Sequence, residues 1–348
     1  MDFAISNVSE VPAVAPNSAD RRHPRIEELD MAKGILVVLM VVYHTFNYST
    51  DYTLGFIYLP FLPPSFILIT GFLIGRLYLR RNTIVRSGAS MRLLLRGLRL
   101  VAIFTLLNLL AQVVGRNKPS GPAGEFGFSF FDYWFEIYVL GSPAAAFDVL
   151  LPIAYLLILA PVLLLLARAS RLIPLIVALA AVTASVTLEL WGEPCANLTL
   201  LSAGFLGVVV GSFGGDILRF GRYWPIAVAA YVGYTLIVRS TGQTVAMQLS
   251  GASLAVAAIF SICAALGTNG FVRQRVVTLG RHSLLSYIFQ IAFLQALSRL
   301  IGRYVPWSAP FILEMIFVLV AMLCVIEVTH WLRNQNRLFA AVHDAVLG

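Results

Sequence analysis

Residues 25–44 read Arg25-Ile-Glu-Glu-Leu-Asp30-Met-Ala-Lys33-Gly34-Ile-Leu-Val-Val-Leu-Met-Val-Val-Tyr43-His44. Between Gly34 and Val42 every side chain is apolar or absent, and the apolar character extends over residues 32–48. A spanning helix needs about 20 mostly apolar residues to cross roughly 30 Å of hydrocarbon. Nine further runs have this character: 56–77, 97–114, 144–167, 172–190, 198–217, 223–238, 245–266, 283–301 and 309–332. All are continuous rather than alternating, which excludes the strands of a membrane barrel. The chain is therefore expected to be all-α, a polytopic membrane protein of about ten transmembrane helices.

Composition leads to the same class. Of 348 residues, 59% are hydrophobic and 12% charged, and the mean hydropathy is +0.84. A globular domain carries about 45–50% apolar and about 25% charged residues. So few charges cannot cover a water-soluble particle, which excludes a cytosolic enzyme, a disordered chain and a secreted disulfide scaffold. The net charge of +8 comes from arginines in short clusters between apolar runs. That pattern orients membrane segments and does not build a nucleic-acid face. With the N-terminus inside, only Arg116, Lys118, Arg239, Arg299 and Arg303 among the 25 Lys and Arg residues fall outside. Ten spans then return the C-terminus to the cytoplasm. Residues 1–24 are expected to form a disordered cytoplasmic tail, 25–337 one transmembrane domain, and 338–348 a second cytoplasmic tail. Residues 1–30 lack the apolar core of a signal peptide, so the first span is expected to be retained.

Within the spans, Pro152 and Pro161 are expected to kink the fourth. Gly204, Gly207, Gly211 and the pair at 214–215 give the sixth the small-residue spacing of close helix packing. Cys195, Cys263 and Cys324 form no CxxC pair and have no neighbouring histidine. No metal site is expected.

Lys33 and His44 are eleven residues apart. At 100° and 1.5 Å per residue they share one helix face, about 17 Å apart along the axis. Lys33 stands at the cytoplasmic mouth and His44 deep in the outer half, where an ionisable group faces a cavity or a partner. The residues alone also admit an ordinary basic anchor and a helix-packing histidine.

Four stretches carry a resemblance. Leu29-Asp30-Met-Ala-Lys33-Gly34 followed by Val41-Val42-Tyr43-His44 is similar to the first-helix signature of the membrane acyltransferase superfamily. That superfamily comprises the type-3 acyltransferases, the fucose O-acetylase-like proteins and the OpgC-type glucan succinyltransferases. Pro63-Pro64-Ser65-Phe66 through Thr70-Gly71-Phe72-Leu73-Ile74-Gly75 resembles its second helix, with Thr70 in place of the usual serine. Asp148-Val-Leu-Leu-Pro152-Ile-Ala-Tyr155 through Pro161 resembles the OpgC-like middle segment. Leu279-Gly280-Arg281-His282-Ser283-Leu284 with Tyr287 resembles the late signature. The four occur in family order across residues 25–301.

The resemblance implies transfer of an acetyl or succinyl group from cytoplasmic acyl-CoA to a hydroxyl of a carbohydrate or glycolipid, within the inner (plasma) membrane. It puts His44 at the essential histidine and Lys33 where most members carry arginine. A histidine suits removal of a hydroxyl proton at neutral pH. The donor phosphates are then expected at Lys33 with Arg76, Arg80 or Arg81. The arginine run from Arg76 to Arg99 also reads as a positive-inside loop. Asp51 and Asp148 are candidates for the acceptor. Asp51 reads more readily as an exposed loop carboxylate, and Asp148 more readily as a helix N-terminal charge matched to the dipole. Asp30 is expected to pair with Arg25 or Lys33, and Glu314 and Glu327 with Arg299 or Arg281. Glu189 and Glu193 flank Trp191 as interface markers, and the aromatic stretch 126–138 reads as an interfacial helix before a sugar-stacking platform. Expected partners are membrane lipids and the acceptor, with a homodimer open and no nucleic acid. The alternative function is a transporter or flippase for a small polar or glycolipid substrate, although no inverted pair of broken helices is visible.

Overall fold

A computed structural model of the chain describes residues 26–49, 59–79, 87–113, 134–141, 147–213, 221–266, 270–304, 311–337 and 340. Among them are eleven α-helices and no strand. They are α1 (Glu27–Ser49), α2 (Leu62–Ile74), α3 (Ser87–Val113), α4 (Leu150–Leu166), α5 (Ile173–Leu190) and α6 (Ala196–Phe213). Then follow α7 (Trp224–Thr241), α8 (Val245–Ala265), α9 (Phe271–Arg281), α10 (Ser283–Tyr304) and α11 (Phe311–Gln335). Two π-helical turns are added: Gly75–Leu79, continuing α2, and Glu136–Leu140.

Each of the ten apolar runs falls on a helix, because in hydrocarbon a helix satisfies its own backbone. Among the described residues seven helices are long and apolar enough to cross a membrane: Glu27–Phe46, Leu62–Leu79, Gly88–Leu110, Ile173–Leu190, Ala196–Phe213, Val245–Ala265 and Ile312–Gln335. Leu150–Leu166 and Ser283–Leu297 are apolar but shorter. α3 starts ten residues before the apolar run at 97, since Arg92 and Arg96 interrupt hydropathy without interrupting helix geometry. The basic stretch after Ser87 is thus a helix face and not a loop. Pro152 falls in the first turn of α4, where a missing N–H breaks no bond, and Pro161 lies inside it. The tails 1–24 and 341–348, along with Asp51, Arg80 and Arg81, lie outside the described residues.

One helix had no counterpart among the apolar runs. α9 carries Arg273, Arg275 and Arg281 in eleven residues, too many charges for a span, yet it buries Val277, Leu279 and Gly280. It exposes Phe271 and Val272.

Glycines set the closest helix contacts. A methyl on Gly71 would overlap the carbonyl oxygen of Gly204, one on Gly207 that of Leu68, and one on Gly211 that of Phe72. α2 and α6 therefore meet backbone to backbone, as the small-residue spacing implies. A second such crossing joins α1 to α9. A side chain on Gly34 would strike the Val276 carbonyl, and one on Gly280 the Asp30 carbonyl. Around these crossings packs one large apolar cluster, including Leu36 and Met40 of α1, Ile67 of α2, Phe104 of α3 and Leu156 of α4. A smaller one joins Val37 and Val41 to Leu294 of α10 and Val318 of α11.

Candidate functional site

α1 runs without interruption through both Lys33 and His44. Lys33 donates to Asp30 one turn earlier, Nζ to Oδ1 at 2.8 Å. Arg281, brought in by the Gly34–Gly280 crossing, stands 3.8 Å from the other oxygen of Asp30 and 3.8 Å from Glu27. Buried Arg273 donates to the Leu266 carbonyl at 3.0 Å and lies 3.9 Å from Glu27. Three cations thus meet two carboxylates at this end of α1, whose first turn carries Glu28 as a third. The expected Asp30–Lys33 pair is present, with Arg281 as an added member.

Between α1, α2, α3, α4 and α10 lies a cavity of about 220 Å³. Its polar wall is formed by Lys33, Thr70, Arg96, Ser283 and Tyr287, and its apolar wall includes Phe66, Leu73, Leu100, Leu150 and Ile153. The Thr70 hydroxyl donates to the Phe66 carbonyl at 2.9 Å. Arg96 is the member of the α3 arginine run that turns to the cavity. Arg76 is half-buried in the π-helical turn after α2 and is not among the lining residues.

His44 is half-buried at the far end of α1. Its imidazole packs against Tyr43, ring centroids 5.2 Å apart, and against Tyr287 of α10 at 6.4 Å. It does not line the cavity itself; Tyr287 touches both. The Tyr287 hydroxyl reaches Asp148, Oη to Oδ1 at 3.4 Å, and the same carboxylate oxygen accepts the Val149 N–H at 2.9 Å. Asp148 is thereby held at the start of α4, as its helix-terminal reading requires, while also meeting a tyrosine that the late signature supplied. The structure brings together Lys33, His44 and Asp148 through Tyr287 and the cavity, and leaves Arg76 apart.

Sequence reasoning missed Arg96 and Tyr287 as site residues. Ser283 and Tyr287, four apart on one helix face, carried the available signal. Sequence reasoning also left the observed partners of two carboxylates unassigned. Glu189 marks no interface alone: both its oxygens accept the Val245 N–H at 2.9 and 3.0 Å, closing the N-terminus of α8. Glu327 pairs with Arg275, which α9 brings to α11, while the Arg299 side chain lies outside the described residues. Glu314 is buried. Among the described residues no three His, Cys, Asp or Glu side chains gather into a metal site.

The fold and the site define an integral membrane protein, a bundle of apolar helices with a partly polar cavity beside a histidine. The family model described as an acyltransferase domain matches residues 26–331, from the first turn of α1 to the last turns of α11. The chain belongs to this type-3 acyltransferase family and is an acyl-transferring membrane enzyme. No curated protein and no solved structure matches it.

Proposed function

We propose that the enzyme moves an acetyl or succinyl group from acyl-CoA to a hydroxyl of a carbohydrate or glycolipid in the inner (plasma) membrane. The observation that carries this reading is the cavity itself, which has Lys33 and Arg96 on its wall and ends at the tyrosine packed on His44. Coenzyme A is polyanionic and its phosphates cannot enter hydrocarbon. The Lys33 and Arg96 cations on the cavity wall suit them, while the thin pantetheine arm suits a narrow cavity between helices. Arg76, Arg80 and Arg81 are further candidates for the phosphates, and Asp51 and Asp148 for the acceptor. Lysine offers a point charge where arginine offers a two-pronged fork, so Lys33 attracts the donor without fixing its orientation.

The chemistry assigned to His44 is general base catalysis. Its neutral imidazole takes the proton of the acceptor hydroxyl as the oxygen attacks the thioester carbonyl. The carbon–sulfur bond then breaks and the proton passes to the departing thiolate, leaving ester and CoA thiol. Positioned bases contribute about 10²- to 10⁴-fold.

His44→Ala is expected to lower acyl transfer by that factor in membranes with unchanged protein level and unchanged melting temperature. Normal transfer by this variant ends the assignment. Acetyl- or succinyl-CoA should raise the melting temperature of the purified wild type by binding the native state. Absence of that stabilisation in an intact protein would favour the transport alternative. The glycan mass difference between a deletion strain and its parent then names the group.

A further inference from the structure

Phe147 is the one non-glycine residue with a positive φ, 65°, among the described residues. A bulky side chain in that region is strained and persists only where the surroundings hold it. Phe147 is buried, and its ring meets Tyr287 edge to face, centroids 6.3 Å apart. The next residue, Asp148, stands at the head of α4 and accepts the Val149 N–H. The strained turn therefore presents one carboxylate, at the head of α4, to the hydroxyl of a tyrosine on α10.

Tyr287 of α10 meets the His44 ring from outside α1. It is buried, so its own orientation is set by Phe147 on one side and Asp148 at the hydroxyl. We propose that Tyr287, tethered by Asp148, is a positioning residue that fixes the plane of the His44 imidazole. This rests on His44 being the base. A base must meet the acceptor proton within hydrogen-bond reach, and displacements near 1 Å can cost about 10²-fold. Tyr287→Phe removes the hydroxyl and keeps the ring on the cavity wall, so its effect is expected on turnover and not on acyl-CoA binding. It also accounts for Asp148 by its hydrogen-bonding oxygen and not by its charge: an amide oxygen at the same place accepts the same two hydrogens.

The test is CoA-thiol release with acetyl-CoA or succinyl-CoA as varied substrate, in native membranes supplying the acceptor, for Tyr287→Phe, Asp148→Ala, Asp148→Asn and the Tyr287→Phe/Asp148→Ala double variant. Tyr287→Phe and Asp148→Ala should each lower kcat about tenfold with KM for acyl-CoA unchanged. The double variant should be no slower than either single one, since both remove one tether. Asp148→Asn should retain more turnover than Asp148→Ala, because its amide oxygen still accepts the tyrosine hydrogen bond. Wild-type kcat in Tyr287→Phe overturns the proposal, as does a multiplicative loss in the double variant. An Asp148→Asn as slow as Asp148→Ala also overturns it, by assigning the role to charge. If Asp148→Ala fails to fold at the strained turn, Tyr287→Phe and Asp148→Asn, which keep shape, decide alone. His44→Ala run alongside separates the two failures: an active His44→Ala removes the base, while an inactive one beside a normal Tyr287→Phe removes only the tether.

Discussion

Two buried carboxamides sit in this bundle under opposite conditions. Asn197, at the start of α6, donates to the carbonyls of Ile137, Tyr138 and Val139 at 3.1, 3.0 and 3.4 Å. It clamps the π-helical turn Glu136–Leu140, where Tyr155 also donates to the Tyr138 carbonyl at 2.7 Å and Thr105 bonds the Tyr138 hydroxyl. Gln290, on α10 one turn beyond Tyr287, is wholly buried, and neither its oxygen nor its nitrogen has a partner among the described residues. Ser286, four residues earlier, is buried with its hydroxyl likewise unmatched. A satisfied polar group fixes backbone; an unsatisfied one costs stability. The bundle keeps its polar order in the seam around α6 and tolerates disorder in its polar bookkeeping on α10, the helix that carries Tyr287 to His44.

The seam around α6 should break first and hardest. Gly207→Val places a branched side chain against the Leu68 carbonyl, which belongs to backbone and cannot rotate away. Loss of the monodisperse folded peak in detergent on size-exclusion chromatography is the expected outcome; a normal peak and melting temperature would show that α2 and α6 have room to part. Asn197→Leu, of similar shape, removes the donor of three carbonyls. It should cost about 1–3 kcal/mol, read as a melting temperature lower by several degrees, with acyl transfer near normal at low temperature. A larger loss of transfer than of stability would place the π-helical turn in the active machinery.

The seam was legible in sequence because small-residue spacing is local: Gly204, Gly207 and Gly211 lie on one helix and announce their own packing. The crossing of α1 and α9 was not. Gly34 and Gly280 are each visible within a motif, but their contact joins chain segments almost 250 residues apart, and nothing in either stretch names its partner. The same holds for Glu189, whose N-terminal partner at Val245 is 56 residues away. α9 escaped because its three arginines hide an apolar face from any search for continuous hydropathy. At the site, the spacing of Lys33 and His44 came from helix periodicity alone. Tyr287 needed the third dimension, since only the packing of α10 on α1 decides which ring meets the imidazole.

The smallest expected effect has the opposite sign to that of Asn197. Gln290→Met keeps volume and length while deleting a donor and an acceptor that make no bond. In water an unmatched amide is solvated, but in a membrane interior the alternative partners are few, so the group carries its desolvation cost uncompensated. Replacing it by an apolar group should therefore stabilise the fold by about 1 kcal/mol, a rise of about 2 °C in melting temperature for a chain of this size. Thermal unfolding of wild type and variant in the same detergent measures it. A fall instead would mean that the amide is bonded in the working protein, and α10 would then be as tightly ordered as the seam around α6. If the rise occurs, it also separates the two ends of α10: an apolar substitution at 290 gains stability, whereas Tyr287→Phe, three residues away, gains nothing and loses turnover. Stability and activity would then be set by neighbouring turns of one helix, with the polar cost carried beside the tether that the chemistry uses.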